Sequence, residues 1–155
     1  MAGGRGASGP LAGARVAVVA NPASGGGRAR RVAPAVEAAL RALGAEPATT
    51  WSEGPGGVAD AVRRACDGGA GAVALLGGDG TLHEALPALV LARLPLVLLP
   101  CGGGNDFGRA LGIARDPVAA ARAAEGWAER AFDLGRVTGV AAAPRLFATV
   151  AATGF

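Results

Sequence analysis

The amino-acid sequence predicts an α/β fold: a three-layer, Rossmann-like domain on a mostly parallel sheet. Three observations predict it. Short, continuously apolar runs recur along the 155 residues, stretches with helical spacing separate them, and three of the runs end in glycine-rich turns. Strands that are apolar throughout, rather than alternating, are buried on both faces, as in a parallel sheet covered by helices.

Arg15–Ala20 (RVAVVA) is a β-branched apolar run and reads as a buried strand. Val32, Val36, Leu40 and Leu43 then recur at helical spacing, with Gly44 as the stop. Glu46–Trp51 reads as a second, weaker strand, and Gly57–Asp67 as a helix with Val58, Val62 and Cys66 on one face. Ala72–Leu76 is a third strand, Thr81–Val90 a helix, Leu94–Leu99 a fourth strand and Asn105–Leu111 a short helix closed by Gly112. Pro117–Glu125 follows as a helix, with Pro at its first turn and Asp116 as N-cap. Arg130–Val137 and Arg145–Ala152 change the pattern: two strands joined by a Gly/Pro turn, a hairpin rather than another βα unit. The expected organisation is a flexible tail over 1–13, one α/β domain over 14–128, and a hairpin over 129–155 that begins a β-rich second domain otherwise absent.

Composition excludes several function classes. All fifteen basic residues are arginine. A Walker A loop needs a lysine on the β/γ-phosphates and a protein kinase needs one on its third strand, so both are ruled out. Net charge is only +3, and four Phe, two Trp and no Tyr leave no aromatics interleaved among the arginines, which argues against nucleic acid as a partner. The longest apolar stretch, Leu86 to Leu99, is broken by Pro87, Arg93 and Pro95 and falls short of the roughly 20 residues of a membrane span. Cys66 and Cys101 have no CxxC partner, which fits a reducing compartment; a cytoplasmic protein is expected.

In an open α/β sheet, ligands lie outside the carboxyl ends of the strands. Three loops here meet that edge: Asn21–Gly27 (NPASGGG), Gly77–Thr81 (GGDGT) and Cys101–Asp106 (CGGGND). Glycines let the backbone approach a phosphate and turn successive N–H groups inward, and each following helix start adds about half a positive charge. Neither glycine run makes a dinucleotide fingerprint: counting from Gly25 or Gly102, the third glycine position holds Arg30 or Phe107.

Asp79 is the discriminating residue. A carboxylate about 4 Å from a phosphate costs roughly 4 kcal/mol per charge pair at an effective dielectric of 20. That arrangement makes sense if a Mg²⁺ lies between them, or if the carboxylate handles the proton of an attacking hydroxyl. The bland alternative is that Asp79 caps the next helix.

The ordered trio NPASGGG, GGDGTLHEAL and LPCGGGNDFGRALGI resembles the diacylglycerol kinase catalytic domain family, which includes bacterial lipid kinases and the sphingosine and ceramide kinases. The resemblance runs from about Val16 to Phe155, with FDLGRV and FATVAATGF matching the family's continuation. GGDGT alone is shared with NAD kinases and phosphofructokinases, whose folds are related; the trio with NDF is more specific. The resemblance implies Mg-ATP binding by Asn21, Pro22, Ser24 and Gly25, by Gly77, Gly78, Asp79, Gly80, Thr81, Leu82 and His83, and by Gly102, Gly103, Gly104 and Asn105, with Thr50 at the end of the second strand. It implies Asp79 as the catalytic residue and metal ligand. Two positions depart from the family: Gly103 stands where a threonine is usual, removing a hydroxyl, and His83 replaces an asparagine.

Among the remaining residues, Arg28, Arg30 and Arg31 open the first helix and could reach a phosphate, an anionic membrane surface or only solvent. Trp51 and Trp127 read as packing residues. The function expected is transfer of the γ-phosphoryl of ATP to a lipid hydroxyl, at the inner face of a membrane if the protein docks there. Two alternatives stand beside it: an NAD kinase-like enzyme, and a truncated nucleotide-binding module without catalysis. The acceptor and the oligomeric state, a homodimer included, are left open.

Overall fold

The computed structural model describes residues 9–139 and 145–148. The first four strands, β1 (Arg15–Ala20), β2 (Glu46–Trp51), β3 (Ala72–Gly77) and β4 (Leu96–Pro100), form one parallel sheet in the order β2-β1-β3-β4. The helices are α1 (Ser24–Ala42), α2 (Gly57–Asp67), α3 (Asp79–Ala92), α4 (Asp106–Ala110) and α5 (Pro117–Ala123), the last followed by a 3₁₀ turn at Ala124–Gly126.

The side-chain alternation of β1 divides the core. Val16, Val18 and Ala20 face Val36 and Leu40 of α1 and Ala120 and Ala121 of α5, whereas Ala17 and Val19 face Val58 and Val62 of α2 and Leu82, Leu86 and Leu89 of α3. Every residue of β3 is buried, which is why its sequence is an unbroken apolar run. Strand order reverses direction between β1 and β3, and the crevice of an open α/β sheet lies at such a switch point.

Several boundaries differ from expectation for local reasons. The chain starts to coil into α1 at Ser24, but Gly25, Gly26 and Gly27 are left-handed (φ 59°, 63° and 86°), so the regular helix starts only at Arg28. The first α3 turn opens at Asp79 rather than Thr81, and α3 ends on left-handed Arg93, so β4 begins at Leu96 rather than Leu94. Asp116 caps α5 as expected, accepting from Val118 N and Ala119 N at 3.0 Å each. In residues 9–13, assigned to a flexible tail by composition, a turn inserts Leu11 into the core at 6% exposure and ties Gly13 N to Gly44 O. Residues 1–8 lie outside the described residues.

Strands β5 (Gly135–Val137) and β6 (Arg145–Phe147) pair antiparallel, with Gly135 opposite Phe147. The hairpin is shorter than expected, and 149–152 of its second strand lie outside the described residues. Leu134, Leu146 and Ala148 pack against the α2–α3 side of the core.

Candidate functional site

The three glycine-rich loops meet at the carboxyl ends of β1, β3 and β4, and small side chains bring them into backbone contact. A Cβ on Gly102 would lie 2.6 Å from Gly78 Cα, and one on Gly25 would lie 2.5 Å from the Cys101 carbonyl oxygen. Only glycine permits either approach. A Cβ on Gly77 would meet the Thr81 side chain at 2.5 Å, so the turn into α3 also depends on its absence.

Polar side chains lock this arrangement. Asn21 Oδ1 accepts from Ala23 N at 2.9 Å, closing the first loop on itself, while Ser24 N donates to Asn21 O at 3.1 Å. Thr81, 4% exposed, joins the first loop to the second: its Oγ1 lies 3.3 Å from Ser24 Oγ and 3.5 Å from Asn21 Nδ2. In the third loop Asn105 adopts φ 55° and uses both ends of its amide locally, accepting from Gly102 N at 2.9 Å and donating to Gly102 O at 2.7 Å. Its side chain therefore braces the loop. Gly103 and Gly104 are exposed, and their N–H groups have no partner among the described residues.

Asp79 ties the second loop to the third. Its Oδ2 accepts from Asp106 N at 3.0 Å and its Oδ1 from Phe107 N at 3.2 Å. The carboxylate thus caps a helix, though it is α4, one helix beyond the one it opens. Gly104 fits closely beside it, since a Cβ there would approach Asp79 Oδ2 to 3.1 Å. A narrow cleft of ≈ 20 Å³, room for about one water molecule, runs from Asp79 under α4, with Leu82, Pro100 and Phe107 in its walls. Asp106 itself pairs with Arg109 at 3.0 Å on the surface.

The other expected site residues fall in different places. Pro22 and Gly80 lie on the rim, in the first loop and the first turn of α3. Leu82 is 3% exposed and belongs to the α2–α3 core, so its side chain anchors α3. His83, one turn beyond Asp79 on α3, has its Nε2 buried without a hydrogen-bond partner among the described residues. Thr50 faces a groove on the α2 side of the sheet, with Ala17, Ala48 and Arg64, rather than the loops. Arg28 is held by Asp116 at 2.8 Å, and the Arg30 guanidinium carbon lies over the Trp51 ring, 5.2 Å from its centroid. That last pair was not legible as a unit, because the partners are far apart in sequence and only the β1–β2 register brings them together. Cys101 is buried beneath the first loop; burial pushes its thiol up, an effect the nearby Arg28 partly offsets.

A magnesium ion is tested by this donor set. Among the described residues no three His, Cys, Asp or Glu side chains converge to cage a metal. Mg²⁺ is ordinarily held by one or two carboxylates together with substrate phosphates and water. One fixed carboxylate beside unpartnered backbone donors fits that mode and not an all-protein cage.

The Diacylglycerol kinase catalytic domain family matches residues 15–137. The chain is 37% identical over 143 residues to the "Diacylglycerol kinase" of Mycobacterium tuberculosis, covering 91% of this chain and 46% of that protein. It is 39% identical over 125 residues to the "Probable lipid kinase YegS-like" of Pseudomonas aeruginosa, covering 78% of this chain and 39% of that one. A crystal structure of a diacylglycerol kinase from Bacillus anthracis superposes with a TM-score of 0.62 at 24% identity, over 70% of this chain and 38% of that one, and shares the fold. The chain belongs to the diacylglycerol kinase catalytic domain family. It spans less than half the length of these curated relatives. No helix among the described residues is long and apolar enough to cross a membrane.

Proposed function

We propose that the chain is the ATP-binding part of a lipid kinase that transfers the γ-phosphoryl of Mg-ATP to a lipid hydroxyl. The observation that carries this is Asp79: a carboxylate fixed by two backbone N–H groups at the point where three glycine loops converge. Family membership supports the kinase class, and the two curated relatives are named for lipid kinase activity.

On this reading the backbone N–H groups of the first and third loops hold the phosphates, and the N-terminus of α3 faces them with its positive dipole end. Asp79 and the phosphate oxygens would hold Mg²⁺, which when bound supplies charge neutralisation at the transferring group. Asp79 orients the acceptor hydroxyl or takes its proton, and its hydrogen bonds to α4 keep it in place while it does so. The two curated relatives, named as a diacylglycerol kinase and a probable lipid kinase, favour a lipid acceptor over NAD.

Labelled ATP offered with either a lipid extract or NAD tests the assignment. Label is expected in lipid and absent from NADP; label only in NADP overturns the lipid acceptor. Calorimetry with Mg-ATP tests the binding half separately, and no uptake at millimolar nucleotide removes it.

A further inference from the structure

Strand β2 is covered on one face only. Toward α1, Pro47 is buried and Thr49 bonds to Glu37, whereas toward α2 Glu46 and Ala48 are exposed. Helix α2 packs over Ala17 and Val19 of β1 and leaves a groove of ≈ 310 Å³ along β2, floored by Ala17, Ala48 and Ala65. That volume stands at the lower end for small-molecule sites, about 300–1,000 Å³, and far exceeds the ≈ 20 Å³ of the cleft at Asp79. Thr50 marks the end of the groove toward the glycine loops; Arg15, Glu46 and Arg64 mark the end at the amino edge of the sheet. The two ends are about 13 Å apart along β2, from Glu46 to Thr50.

Ion pairs among the described residues use Arg28, Arg41, Arg63 and Arg109 and leave Arg15 and Arg64 without a carboxylate partner there. Arg15 lies against the turn after α2, since a Cβ on Gly69 would come within 3.2 Å of its Nη1. Basic residues at a helix C-terminus ordinarily serve its last carbonyls. Here Gly68 N, Gly69 N and Ala70 N already close the carbonyls of Arg64, Cys66 and Ala65 at 2.9, 2.9 and 3.0 Å. The two guanidiniums are therefore left for a ligand. We propose that the groove binds a small amphiphilic anion, its acid group (a carboxylate or a phosphate monoester) held by Arg15 and Arg64 and its apolar body laid on the alanine floor. A guanidinium fork matches either acid. Glu46, at the same end of the groove, opposes the negative head and limits how tightly it is held. The site lies at the edge of the sheet opposite the three glycine loops and does not rest on the nucleotide reading.

Calorimetry and amide shift mapping with octyl phosphate, octyltrimethylammonium and inorganic phosphate test this, each with and without Mg-ATP. Octyl phosphate is expected to bind, shifting Ala48, Ala65 and Ala70 and sparing Gly102–Gly104. Octyltrimethylammonium does not bind, and inorganic phosphate binds roughly tenfold more weakly or worse, for want of methylenes to bury. Arg15→Gln and Arg64→Gln, both surface changes, each weaken octyl phosphate about fivefold, the upper range for an exposed ion pair. Glu46→Gln tightens it, and Ala48→Leu, at an exposed position, fills the floor and blocks it. Wild type that takes up no octyl phosphate, or binds the cation or bare phosphate as tightly, overturns the site. So do arginine variants and Glu46→Gln that all keep wild-type affinity. Shifts at Gly102–Gly104, or displacement by Mg-ATP, put the anion on the glycine loops and overturn the groove while leaving the nucleotide reading standing.

Discussion

Asp79 holds the first turn of α4, its two carboxylate oxygens accepting from Asp106 N at 3.0 Å and Phe107 N at 3.2 Å. A group proposed to meet metal or acceptor is thus also the clasp between two loops, and the two roles predict different mutants. Asp79→Asn keeps the shape, removes the charge and turns an amino group toward one of the two donors. Phosphoryl transfer is expected to fall by about 10²–10⁴-fold. Stability is expected to fall by about 1.5–3 kcal/mol, the range for a hydrogen bond to a charged group, leaving the domain folded by circular dichroism. Transfer at the wild-type rate in the folded variant would leave Asp79 as a cap and nothing more.

Gly102 and Gly103 are neighbours with opposite tolerances. A methyl group at Gly102 collides with Gly78 Cα at 2.6 Å, backbone against backbone. Gly102→Ala therefore has to part the second and third loops, at about 1–3 kcal/mol by the usual cost of overpacking, and is expected to lose Mg-ATP binding. A side chain on Gly103 meets nothing within 4 Å. Gly103→Thr restores the hydroxyl expected at that position from the family resemblance, and it should leave the melting temperature near wild type while tightening Mg-ATP binding several-fold, roughly one added hydrogen bond. Titration calorimetry on the two variants side by side checks both signs; weaker nucleotide binding by Gly103→Thr would show that the loop does not face the phosphates.

The alternation of strand and helix was legible because burial on both faces of the sheet writes itself as unbroken apolar runs, as in β3. The convergence of three glycine loops was legible too, since parallel strands deliver their carboxyl ends to one edge. What could not be read was which polar side chain spends itself on which loop. Asn105 consumes its amide within its own turn, and Asp79 reaches across to Asp106 and Phe107; both are contacts set by loop packing rather than by sequence period. Leu11 was missed because a single leucine in a Gly/Ala-rich segment carries no periodicity, although the core takes it in. Thr50 sits at the expected strand end, but the pleat turns it toward α2, a parity that the composition of a weak strand leaves undetermined.

Asp116 serves two structures at once. Oδ1 caps α5 through Val118 N and Ala119 N, and Oδ2 receives Arg28 at 2.8 Å. The ion pair is exposed, at 40% and 51% of the two side chains, so solvent screens it and the cap dominates. Asp116→Ala is expected to cost about 1 kcal/mol, Asp116→Asn much less, and Arg28→Ala no more than about 0.5 kcal/mol. Urea unfolding of the three variants decides the order. An Arg28→Ala loss equal to that of Asp116→Ala would make the ion pair, rather than the cap, the stabilising element.

Glu37 guards the free edge of the sheet. Even-numbered residues of β2 bond to β1, as Glu46 N does to Ala14 O, so the odd ones face outward. Pro47 has no N–H to offer there, and Glu37 Oε1 takes both Thr49 N at 3.0 Å and Thr49 Oγ1 at 2.6 Å. Burial pushes the Glu37 carboxyl up, but the Thr49 hydroxyl, Arg41 and the Thr49 N–H together outweigh it and hold the group below the ordinary carboxylate value. A carboxyl whose folded value is lowered stabilises fully above its unfolded value near 4.5, and that contribution is lost as pH falls through the lowered one. Glu37→Gln is therefore expected to cost about 1–2 kcal/mol at pH 7, with the gap to wild type closing as pH is taken below the carboxylate range. Urea titrations of both proteins at neutral and acid pH measure it. A gap that stays constant with pH would assign the loss to packing and clear the Glu37 charge of any part in closing the edge.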